Sequence, residues 1–110
     1  MRIAIPTYDG KLAQHFGHCE ACVVVDVEDG TVTGSREAAP PAHAPGVLPR
    51  WLAEQGCSVI IAGGMGRRAQ DLFVANGITV VCGAPALPAE ELVQEYLAGT
   101  LQTGDNLCDH

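Results

Sequence analysis

Hydrophobic positions follow two rhythms along this chain of 110 residues. Up to about residue 37 they alternate or run briefly between turn residues; beyond 46 they recur at helical spacing between short apolar runs. "RIAIP", residues 2–6, predicts a short buried strand stopped by Pro6. "ACVVVDV", 21–27, is dense in β-branched residues and predicts a second strand. "EDG" at 28–30 sets Gly30 where a turn needs φ > 0, and "TVTGSRE" at 31–37 returns as its hairpin partner. Two stretches lack periodicity: the polar residues 7–20 and the Pro/Ala/Gly-rich "AAPPAHAPG" at 38–46.

"VLPRWLAEQG" puts Val47, Leu48, Trp51 and Leu52 on one helical stripe, with Gly56 as its stop. "SVIIAGG", 58–64, is a continuous apolar run typical of a strand buried on both faces. "RRAQDLFVANG" spaces Ala69, Leu72 and Phe73 as a helix ended by Gly77, and "ITVVCG", 78–83, is another buried strand. "LPAEELVQEYLAG" opens on Pro88 with two glutamates in its first turn and buries Leu92, Val93, Tyr96 and Leu97. The order β-β-β-α-β-α-β-α predicts one three-layer α/β domain over residues 1–100, followed by a loose tail, 101–110. Its five-stranded mixed sheet has one antiparallel strand and helices on both faces.

That topology sends the loops after strands one, three, four and five to a single edge, the carboxyl end of the parallel strands. Every unusual stretch lands there: "TYDGKLAQHFGHCE", "AAPPAHAPG", "GGMGRR" and "CGAPALP". Open α/β sheets bind ligands at that edge.

Composition narrows the partners. A net charge of −7 argues against nucleic acid, because phosphate binding needs a basic footprint. No run reaches the ~18 apolar residues of a membrane span. "MRIAIP" enters an apolar strand with no signal-peptide pattern, so a cytoplasmic protein is expected. Five cysteines, Cys19, Cys22, Cys57, Cys82 and Cys108, are an odd number, which suits reduced thiols better than a disulfide framework.

"QHFGHCEAC", 14–22, concentrates His15, His18, Cys19 and Cys22. Imidazole and thiolate both suit zinc, so a Cys₂His₂ site is one reading, though the second cysteine pair usual in structural zinc sites is missing. A redox pair is the weaker reading, because a reactive CxxC opens a helix and this one runs into a strand. Cys22, at the start of that strand, is expected to face the core. A helical turn over 15–19 would set His15, His18 and Cys19 on one face. His43 joins them only through the shared edge. In "GGMGRRAQ", Gly63, Gly64 and Gly66 are expected to leave backbone N–H groups unpaired at a helix N-terminus. Arg67 and Arg68 sit in its first turn, where cations are unfavourable without an anion nearby. The bland alternative is a Gly-rich turn with solvated arginines. The tail's Cys108, Asp109 and His110 are accessory candidates at most.

"IAIP…DGKLAQHFGHCE", a histidine in a Pro/Gly loop, "GGMGRRAQDLFVANGITV" and "EYLAGTL", in that order, resemble the dinitrogenase iron-molybdenum cofactor family. The resemblance implies a ribonuclease H-like fold that binds or carries an iron-molybdenum or related metal–sulfur cluster without catalysis, in a setting related to nitrogen fixation. It implies donor and acceptor proteins for the cluster. The positions it carries over are His15, Phe16, Gly17, His43 and Gly63, Gly64, Met65 and Gly66, with Arg67 beside them. Cys19 and Cys22 depart from the pattern, which leaves thiolate ligation open. The rivals are a small regulatory domain without a cofactor and a metal-dependent nuclease. The nuclease fits badly: the first strand has no acidic residue and the second only Asp26.

Overall fold

The structure is a computed structural model, and it describes residues 1–15, 19–41 and 46–104. Its elements are β1 (Arg2–Tyr8), β2 (Lys11–Leu12), β3 (Ala21–Glu28), β4 (Thr31–Ala38), α1 (Val47–Glu54), β5 (Val59–Ile61), α2 (Arg67–Ala75), β6 (Thr79–Val81) and α3 (Ala89–Ala98). The sheet runs β4-β3-β1-β5-β6, with β2 paired to β1. β3 is antiparallel to both neighbours, while β1, β5 and β6 pair in parallel. β1, β4, β5 and β6 therefore share one direction, as the sequence predicts.

Alternation divides the core between two faces. Ile3, Ile5, Val25, Val27, Val59 and Ile61 pack with Ala89, Leu92 and Val93 of α3. Ala4, Cys22, Val24, Ile60 and Ala62 face the other way, against Leu52 of α1 and Phe73 of α2. With almost no aromatic residues to fill it, the interior is aliphatic and closely layered. No helix among the described residues is long and apolar enough to cross a membrane.

Three expectations are corrected. β1 runs on through Pro6 to Tyr8 instead of stopping at Pro6. The sheet has a sixth strand, β2, so two strands rather than one run against the rest. Asp9 (φ 54°) and Gly10 (φ 81°) close β1 onto β2, as Asp29 (φ 52°) and Gly30 (φ 75°) close β3 onto β4. Two successive positive φ values make the tight hairpin turn whose twist suits strands. Pro88 caps α3 instead of opening it, with α3 starting at Ala89. The chain after α3 is laid down as far as Gly104: Leu101 packs on the α3-side core and the Gly104 N–H donates to the Gly83 carbonyl at 2.7 Å. Residues 105–110 lie outside the described residues.

A Cβ placed at Gly10 or Gly30 meets nothing within 4 Å, so replacement there acts through backbone conformation alone. Gly10→Ala and Gly30→Ala should each cost about 1–2 kcal/mol, the penalty for an L-residue in the left-handed region, measured by urea unfolding.

Candidate functional site

The rim at the carboxyl end of β1, β5 and β6 is assembled by main chain. After the turn at Asp9–Gly10 the chain doubles back. The Leu12 N–H donates to Leu87 O and the Ala13 N–H to Pro6 O, both at 3.0 Å. It then crosses to β5: the Gly64 N–H donates to Gln14 O at 2.5 Å, and His15 pairs with Gly64 in a parallel bridge. Gly63 permits this approach, since a Cβ there would sit 2.9 Å from Gln14 O and 3.0 Å from Ala13 O. From the other side, the Gly83 N–H donates to Gly63 O at 2.7 Å. The result is a cavity of about 220 Å³ lined by residues 12–14, 63–64 and 83–86. A wider groove of about 640 Å³, reaching from Tyr8 to His15 and Ala86, shares part of its wall.

The expected residues fare unequally here. His15 reaches the rim half-buried, with its backbone in a strand-like bridge, and residues 16–18 of the helical turn expected over 15–19 lie outside the described residues. Gly63 and Gly64 are buried, and the Gly64 amide is committed to Gln14, so it is not the unpaired donor the sequence suggests. Met65 is fully buried in the core beside Phe73, which removes its side chain from any site. Its carbonyl accepts from Gln70 Nε2 at 2.9 Å. Gly66 caps α2, and Arg67 and Arg68 stand exposed in a first turn that carries no acidic residue. Phe16, Gly17, His18 and His43 lie outside the described residues, as do Cys108, Asp109 and His110. Among the described residues no three His, Cys, Asp or Glu side chains gather to hold a metal ion.

Cys19 and Cys22 do meet. Cys22 is buried in β3, as expected, and Cys19 is half-buried above it. Their thiols are hydrogen-bonded, and the Cys22 S–H stabilises the Cys19 thiolate, lowering the Cys19 pKa to about 7 against the pull of burial. The same bond, with burial, drives Cys22 far upward. Cys57 packs in the core, its pKa raised by burial. Cys82 packs against the same helix-covered face. One contribution escaped the sequence reading. Gln14 offers its carbonyl rather than its side chain, and no side-chain pattern reports that. The "CGAPALP" loop was expected at this edge, and its Gly83 and Ala84 emerge as cavity walls.

The sequence profile of the dinitrogenase iron-molybdenum cofactor family matches residues 1–99. The chain belongs to this family. It is 30% identical over 107 residues to MJ0580 of Methanocaldococcus jannaschii, an uncharacterised protein, covering 93% of this chain and 90% of the relative. The fold also matches the crystal structure of PH0822, with a TM-score of 0.87, 30% identity and 94% of each chain covered. It matches the apo form of the orange protein from Desulfovibrio gigas at a TM-score of 0.76 and 26% identity, covering 96% of this chain and 93% of that one. Within this family fold, the rim just described is the carboxyl-end edge that the parallel strands share.

The thiol pair gives a direct pH test. Alkylation of Cys19 by iodoacetamide should rise with pH through a midpoint of about 7, because the thiolate is the reacting form. Cys22→Ala removes the donor and should move that midpoint up toward the ordinary thiol range, read by mass spectrometry across a pH series.

Proposed function

We propose that this protein binds and carries an anionic metal–sulfur cluster, the iron-molybdenum cofactor or a relative, at the carboxyl-end rim, without catalysing a reaction. The supporting observation is the pairing of His15 with Gly64, which fixes the histidine segment beside the glycine turn and the mouth of the cavity. At about 220 Å³ the cavity is smaller than the ~300–1,000 Å³ of ordinary small-molecule pockets, so the cargo rests in its mouth and the adjoining groove. His15 supplies an imidazole as ligand or hydrogen-bond donor. Arg67 and Arg68, with the positive end of α2, supply charge that the net −7 of the chain does not. The Gly64 amide takes no part, being held by Gln14.

A carrier must also let go. Few protein ligands favour transfer between donor and acceptor proteins, whereas a closed four-ligand shell favours retention.

Anaerobic isolation from the native host tests this. Visible charge-transfer absorption, with iron, molybdenum or copper and acid-labile sulfide on elemental analysis, is the expected result. A colourless protein holding zinc alone, or one with no metal, would reject the reading in favour of a zinc protein or a cofactor-free regulatory domain. His15→Ala should weaken cluster binding at least tenfold, about 1.4 kcal/mol, with an unchanged circular dichroism spectrum. Replacing Arg67 and Arg68 together by Gln should weaken it most at low ionic strength; an equal loss in high salt would mean their part is not electrostatic.

A further inference from the structure

The pair Cys19 and Cys22 has no role in the cargo reading. We infer that these two cysteines form a reversible intramolecular disulfide, a modification site at the edge of the rim that does not depend on what the rim holds.

Three observations carry this. Cys19, three residues before Cys22, packs against the buried cluster to which Cys22 belongs, so both thiols lie on one face of the sheet. Their exposure is unequal: Cys19 is half-buried and Cys22 fully buried, so an oxidant from solvent meets Cys19 first and Cys22 can answer only toward Cys19. The spacer between them is fixed in place by β1. The Glu20 N–H donates to Thr7 O at 2.8 Å, Ala21 is in register with Thr7, and Thr7 Oγ1 donates to Ala21 O at 3.3 Å. The pair is therefore presented by a backbone that the sheet already holds at Glu20 and Ala21.

The oxidant class is a low-molecular-weight disulfide, RSSR. The Cys19 sulfur, as thiolate, attacks one sulfur of RSSR; the S–S bond breaks and RS⁻ leaves, giving a mixed disulfide on Cys19. The Cys22 sulfur, losing its proton, then attacks the Cys19 sulfur and expels the second RS⁻. The two thiol protons pass to the two RS⁻ ions. Two cysteines are oxidised by two electrons, and RSSR is reduced to two RSH.

The other cysteines compete poorly. Cys57 is buried in the core ahead of β5, next to Ser58, whose N–H donates to Arg2 O at the far edge of the sheet. Cys82 packs on the same face as the pair and is the control.

The test uses the full chain, fully reduced and then incubated with oxidised glutathione as the probe. The expected product has lost two of its five thiols, carries no adduct, and yields a peptide cross-linked between Cys19 and Cys22. Cys22→Ala should stop at the mixed disulfide on Cys19, accumulating it about tenfold or more over the unmodified sequence. Cys19→Ser should leave Cys22 unreacted in the folded protein, and Cys82→Ala should change nothing. Dithiothreitol should restore all the thiols. A stable glutathione adduct on Cys19 in the unmodified sequence overturns the proposal. So does a cross-link from Cys19 to Cys82, to Cys108 or to a second chain, and so does Cys19 left as a thiol. Because the chain needs no cluster for this reaction, failure here leaves the cargo reading standing, and the reverse holds as well.

Discussion

The rim depends on how closely two backbones approach, Ala13–His15 against Gly63–Gly64. A single hydrogen bond of this type contributes only about 1 kcal/mol net. Its structural effect is larger, because a side chain at 63 would collide with two carbonyls of the facing segment. The glycine pair serves first to bring a loop from the end of β1 onto the end of β5. Everything at the rim follows from that contact: the small cavity beneath it, His15 in the wider groove that shares its wall, and α2 opening beside it with two arginines. The β5–β6 ladder continues past both strands through Ala62, Gly63, Gly83 and Ala84, and Gly104 adds one more rung. The wall is thus built largely of main chain, which leaves few side chains to set its chemistry.

Charge is handled by placement. Of six basic residues, Arg2 is engaged at the opposite edge by Asp26 and by the Gln55 carbonyl, and Arg36 donates to Gln55 Oε1. Arg67 and Arg68 stand together at the start of α2, where the helix already presents positive charge. In an acidic protein this concentrates attraction for an anion in one place. Screening over roughly 8–10 Å at physiological ionic strength keeps distant carboxylates from cancelling it.

The architecture was legible wherever a period had room to declare itself. The hairpin at Asp29–Gly30 was readable because long alternating runs flank it. The same Asp-Gly pair at 9–10 closes an equally regular turn, yet Lys11–Leu12 is too short to show a period, so β2 stayed hidden. Cys22 was readable as a core residue because it alternates in phase with Val24. The glycine turn was misread for a different reason. Whether the Gly64 amide is available is decided by Gln14, fifty residues earlier, and no local pattern encodes that pairing. The side chain of Met65 follows its own chemistry, long and apolar, into the core that also holds Phe73. The thiol pair was discounted for lacking a helix N-terminus; a neighbouring S–H donor lowers the Cys19 pKa by another route.

The segment that bears His15 and Cys19 has an unusual attachment. It leaves β1 through the Ala13 bond to Pro6 and returns through the Glu20 bond to Thr7, so its two ends are tied to adjacent residues of one strand. Between those ties His15 is held sideways by Gly64. A chemical change near its return point acts on a short lever. Joining Cys19 to Cys22 would link the residue just before the Glu20 anchor to a core residue of β3.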